Sequence, residues 1–157
     1  MRKLSLVIFA AVFLGAFPAL AAETTRDEYV QAVEPICKKN AEANATILKG
    51  VRQNVKNGKL KKASRQLFAA AKALKRTREQ LLKVPKPSED AAQLTKWLKG
   101  VKTEAELLEA VARKLAKGEK NPAVRMAIRL ENNARQTNNL VLDFEFRYCR
   151  FNPGKFL

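Results

Sequence analysis

The chain has no histidine and only two cysteines in 157 residues. Without histidine there can be no Ser-His-Asp triad, no Cys-His dyad, no His-ligated haem and no zinc site of the usual kind. The Glu-x-x-His pairs by which helical bundles hold di-iron centres are excluded too. Neither a G-x-x-x-x-G-K-[ST] nor a G-x-G-x-x-G loop occurs, so the common phosphate and dinucleotide cradles are missing. Paired carboxylates are the main catalytic chemistry left. The expectation is a protein that is not an enzyme, with no cofactor and no metal. No stretch reads as β-rich alternation, and one long apolar run exists, at the very start.

That run, Leu4 to Phe17, is broken only by Ser5 and Gly15 and follows Arg2-Lys3. Pro18 then precedes Ala19-Leu20-Ala21, an A-x-A cleavage site. Residues 1–21 therefore read as a secretory signal peptide, with 22–157 as a single domain. The run is shorter than the ~20 residues of a spanning helix, so no transmembrane segment is expected. The expected location is secreted or extracytoplasmic, in a bacterial envelope.

Export permits a disulfide. Two cysteines allow one intramolecular pairing, Cys37 with Cys149. It would close a loop worth roughly 4–5 kcal/mol in the chain-entropy model. With no C-x-x-C motif and no histidine, a structural bond is preferred to a reactive thiol pair or a metal site.

The full chain carries 31 Lys and Arg against 15 Asp and Glu. Removing residues 1–21 takes away Arg2 and Lys3 and no acid, leaving a net charge of +14.

Apolar spacing predicts an all-α, antiparallel up-down-up-down four-helix bundle tied by the disulfide. The first predicted helix runs from about Thr25 to Val55, opened by a Thr25/Glu28 capping box. Pro35 should kink it or cut off a short leading segment. Asn57-Gly58 ends it. The second spans about Leu60 to Val84 and stops at Pro85-Lys86-Pro87. The third runs from Glu89 to Lys117 behind a Ser88 cap and is stopped by Gly118. The fourth runs from Asn121 to Arg150, with Asn121 as cap and Pro122 as first residue. Leu48-Lys49-Gly50-Val51-Arg52 resembles Leu98-Lys99-Gly100-Val101-Lys102, and both glycines can let helices approach closely.

Three groups of residues are candidates for function. Between Lys56 and Lys86 there are eleven Lys and Arg and one acid, Glu79. Lys61, Arg65, Lys72, Arg76 and Lys83 share one side of the second helix. This stripe can follow the phosphates of an envelope polymer or an anionic lipid surface. It holds no aromatic for base stacking, which argues against single-stranded nucleic acid, and no sequence-specific nucleic acid is expected as a partner. The second group is a buried polar layer of Asn40, Asn44, Asn138 and Glu145. An antiparallel pair registered by the disulfide brings Asn40 level with Glu145 and Asn44 level with Leu142 and Val141. The layer either sets helix register or lines a polar pocket. The third is an aromatic cluster, Tyr29, Phe144, Phe146, Tyr148, Phe151 and Phe156, beside the cysteines. The segment before Cys37 should project past the cross-link, and the tail from Phe151 should fold over it.

The A-x-A signal, the early Tyr-Val-x-Ala-Val-Glu-Pro-Ile-Cys and the late Phe-Arg-Tyr-Cys-Arg-Phe together resemble a group of small secreted actinobacterial proteins with no assigned activity. The resemblance covers most of the mature chain. It implies a paired cysteine set and a helical bundle, and carries no catalytic residue to transfer. The expected role is binding an anionic partner through the basic helix face. The alternatives are a carrier of a small apolar ligand in the bundle core, or an envelope stress or chaperone-like protein.

Overall fold

A computed structural model describes residues 23–157. The predicted signal peptide lies outside the described residues. Those described are helical, with no strand among them. The helices are α1 (Arg26–Ile47), α2 (Val51–Lys56), α3 (Leu60–Leu81), α4 (Ala91–Ala116) and α5 (Lys120–Asn139). Short 3-10 turns follow at Leu142–Phe144 and Pro153–Lys155. Helices adjacent in the bundle pack in chain order: α1 and α2 on α3, α3 on α4, α4 on α5. The four long rods form the expected bundle.

The predicted capping box opens α1. Glu28 N donates to Thr25 Oγ1 at 3.3 Å and Thr25 N donates to Glu28 Oε2 at 2.8 Å. Pro35 does not divide α1, which continues through it. Pro35 and Gln31 are both exposed, so the carbonyl that loses its N–H partner can turn to water. The break falls instead at Gly50, whose φ of 75° only glycine adopts without strain. Gln66 of α3 stabilises the break by donating to Ile47 O at 2.8 Å and Lys49 O at 3.0 Å. It thereby satisfies carbonyls that the interrupted helix leaves open. Gly100 is different: it lies inside α4, and a Cβ there would run into the Thr137 side chain. The matched pentapeptides are therefore used in two ways, as a helix break and as a close approach of α4 to α5.

Helix starts differ slightly from expectation. Ser88 does not cap α4; its N–H donates to Glu23 Oε1 at 3.2 Å. The residue before α4 is Asp90, which is buried and accepts from Arg26 at 2.6 and 2.9 Å. Pro122 falls in the third position of α5, still within the first turn, where its missing N–H has no helical partner to lose.

The larger correction concerns the fourth predicted helix. It ends at Asn139, not Arg150. Gln93 of α4 donates to Leu140 O at 2.6 Å and to Asp143 Oδ1 at 3.0 Å, holding the chain as it leaves the helix. The residues from Leu140 onward then turn through Glu145, at φ 52°, and run back along α1. Glu34 Oε1 accepts from Arg147 N at 3.0 Å and Tyr148 N at 3.1 Å. Cys149 reaches Cys37 in a disulfide with Cα atoms 4.9 Å apart. Because α1 and α5 barely meet, this returning segment fills the seam between them.

The aromatic cluster is core. Phe146 is buried between Phe144, with ring centres 5.3 Å apart, and Trp97 of α4, at 5.5 Å. Tyr29 packs edge-on against Phe144. The start of α1 is thus packed into the core and does not project past the disulfide: Tyr29 and Val33 are fully buried. The tail does not cover that end either: it runs the other way, from the disulfide along α1 to α2, with Lys155 and Phe156 beside Ala45, Leu48 and Arg52. Arg52 donates to Gly154 O at 2.8 Å and to Leu157 O at 2.9 Å, and Asn138 donates to Phe151 O at 2.8 Å.

Candidate functional site

Two places combine exposure or space with unspent chemistry. The first is the outer face of α3. Its buried side carries Ala63, Leu67, Ala70, Ala71, Leu74 and Leu81, so a 3.6-residue period leaves the opposite side in water. Lys61, Arg65, Lys72 and Arg76 are exposed there, and Lys83, also exposed, lies two residues past the end of the helix, which stops at Leu81 rather than Val84. None forms an ion pair among the described residues, whereas Lys75, to one side, pairs with Glu109 of α4 at 2.5 Å. Arg78 turns inward and donates to Leu98 O at 2.9 Å. One expectation is corrected: the stripe does contain an aromatic. Phe68 is 37% exposed, three residues after Arg65 and four before Lys72, positions that are neighbours on one helix face.

The second place is a cavity of about 130 Å³ bounded by α1, α3, α4 and the C-terminal tail. The expected polar layer is only partly assembled around it. Asn44 lines the cavity and is buried, and its Nδ2 donates to Asn40 Oδ1 at 3.3 Å. Glu145 is not part of the layer. The chain leaves the helix before reaching it, and its side chain is exposed. In place of the expected Glu145, Asn40 meets Asn44, one turn away on the same helix. Asn138 serves the tail through Phe151 O.

Glu104 was missed as a site residue. It lies three residues after Val101 and four before Leu108, on the apolar stripe of α4, and is 1% exposed. The signal was available, since a carboxylate at that spacing must face the core. Burial pushes its carboxyl up to about 8, and a hydrogen bond with Thr137 draws it partly back. Glu104 Oε1, Asn44 Oδ1 and Trp97 Nε1 are buried without a hydrogen-bond partner, and all three residues line the cavity. Such orphans are few in folded proteins.

Asn44 gives a direct test of its structural share. Its amide makes one long bond and leaves its oxygen unpaired. Replacing it by leucine removes a buried polar group together with its need for a partner. Asn44→Leu should unfold in urea at the same or a higher midpoint than the wild type. A loss above ~2 kcal/mol would mean the amide satisfies neighbours through water.

No group of His, Cys, Asp or Glu that could hold a metal ion forms among the described residues. No described helix is long and apolar enough to cross a membrane. No family model, curated protein or solved structure matches the chain.

Proposed function

We propose that this is an exported, non-enzymatic binding protein that docks on an anionic surface through the outer face of α3. The observation that supports this most is the row Lys61, Arg65, Lys72, Arg76 and Lys83, exposed around Phe68 and, among the described residues, free of ion pairs. Cations left unpaired on one face raise the local potential and attract polyanions. An exposed ring among them favours a lipid surface, where it can enter the headgroup region while the amines stay at the phosphates. The disulfide suits an oxidising compartment. A small secreted protein of the kind the sequence resembles is consistent with this reading.

Vesicles with phosphatidylglycerol, compared with neutral ones, test it. Binding should be confined to the anionic vesicles and weaken with salt. Changing Lys61, Arg65, Lys72 and Arg76 to glutamine should weaken it about 100-fold or more at low salt, from about 1 kcal/mol per basic residue. The control changes Lys96, Lys99, Lys102 and Lys117 of α4 and its end to glutamine. Equal losses in the two mutants would reduce the site to net charge. Phe68→Ser should weaken vesicle binding and leave binding to soluble polyphosphate unchanged.

A further inference from the structure

We propose that the cavity between α1, α3, α4 and the tail is a binding site for a small primary ammonium compound, held by Glu104 and Asn44 beside Trp97. These three side chains are each at most 2% exposed, line one cavity and carry unpartnered polar atoms. Two of those atoms, Glu104 Oε1 and Asn44 Oδ1, are acceptors. One, Trp97 Nε1, is a donor. An ammonium group brings three donors to such a set, and a hydroxyl on the same molecule would give Trp97 its acceptor.

Charge agrees with the count. From α1 the groups facing Glu104 across the cavity are Asn40 and Asn44, from α3 Thr77, and from α5 Thr137 contacts its carboxyl; none is charged. The tail contributes Tyr148, Arg150 and Lys155. Arg150 and Lys155 are exposed, and Arg150 is held against the tail by its bond to Phe146 O. Water screens both at the mouth. An ammonium inside would be the first close counter-charge that Glu104 has. The raised affinity of Glu104 for its proton means that, near neutral pH, binding exchanges one proton for the ligand cation.

Size sets the limit. A cavity of about 130 Å³ is slightly smaller than the ~150 Å³ void that accepts benzene. Leu74, Leu81 and Val101 supply apolar wall for a short alkyl chain. The part of the occupant buried there is therefore a short-chain amine or amino alcohol.

Calorimetry on the oxidised protein with n-propylammonium chloride tests this, with n-propanol and sodium propionate as isosteric controls. Propylammonium should bind at millimolar concentration or tighter and release close to one proton at pH 7, read from heats in buffers of different ionisation enthalpy. Both controls should bind at least tenfold more weakly. Glu104→Gln should lose at least tenfold while remaining folded. If that variant does not fold, Asn44→Leu carries the same expectation, because it removes an acceptor and fills the space. Absence of binding, equal binding of n-propanol or propionate, binding without proton release, or undiminished binding in the variant would each overturn the proposal. So would a crystal soaked in propylammonium whose cavity holds only water.

Discussion

Replacing both cysteines by alanine is expected to lower stability by about 4 kcal/mol and the melting temperature by roughly 15 °C. The size follows from the loop. Cys37 and Cys149 are 112 residues apart, so the bond removes a large part of the unfolded chain's freedom. A second contribution is local. The segment from Leu140 to Leu157 is not helical packing like the rest; it is held in the α1–α5 seam by the disulfide, by Glu34 accepting from Arg147 and Tyr148, and by Arg52. Without the bond this segment can lift, uncovering Phe146, Trp97 and Tyr29. Hydrogen exchange should then speed most at the Arg147 and Tyr148 amides, ahead of global unfolding. A double mutant that melts within about 3 °C of the wild type would show that the noncovalent contacts suffice.

Glu104 should make the protein lose stability as pH rises through the neutral range. Its ordinary value is 4.5 and its folded value about 8, so between these the folded state keeps a proton that the unfolded state releases. Stability then falls with rising pH, by up to ~1.4 kcal/mol per unit, and the cost is complete above about pH 8. Below pH 4.5 both states hold the proton and the group contributes no dependence. Glu104→Gln cannot ionise. Urea unfolding at pH 5, 7 and 9 should therefore show a difference that is small at pH 5 and several kcal/mol in the variant's favour at pH 9. Comparing the two proteins at each pH cancels the other titrating groups, including Glu28 and Glu119, which hydrogen bonds to Thr25 and Lys114 hold below the usual carboxylate range. Parallel pH profiles would mean that Glu104 is already paired, through water or a bound cation.

The misread end of α5 shows where a sequence pattern is ambiguous. Val141, Phe144 and Tyr148 continue the helical spacing of Leu130, Ala134 and Thr137, which made a helix to Arg150 reasonable. Yet Phe144-Glu145-Phe146-Arg147-Tyr148 also alternates apolar and polar, the mark of extended chain, and this is the pattern that the burial follows. Both readings satisfy local preference. Gln93 at Leu140 O and Glu34 at the Arg147 and Tyr148 amides decide between them, from 47 and 113 residues away.

What the sequence determined by itself was the four long helices in outline, the face each buries, the pairing of its two cysteines and the exposure of the α3 cations. Those depend on period, on the count of thiols and on the cost of burying charge, all of which are local or arithmetic. Only the tertiary structure decided that Gly50 ends a helix while Gly100 sits tight against Thr137. It alone put the tail into the α1–α5 seam and closed Glu104, Asn44 and Trp97 around one cavity. The reason is that a helical period says which way a side chain faces but not what it meets. Whether a backbone carbonyl, a carboxylate or an amide finds a partner depends on groups brought near by the packing of distant helices.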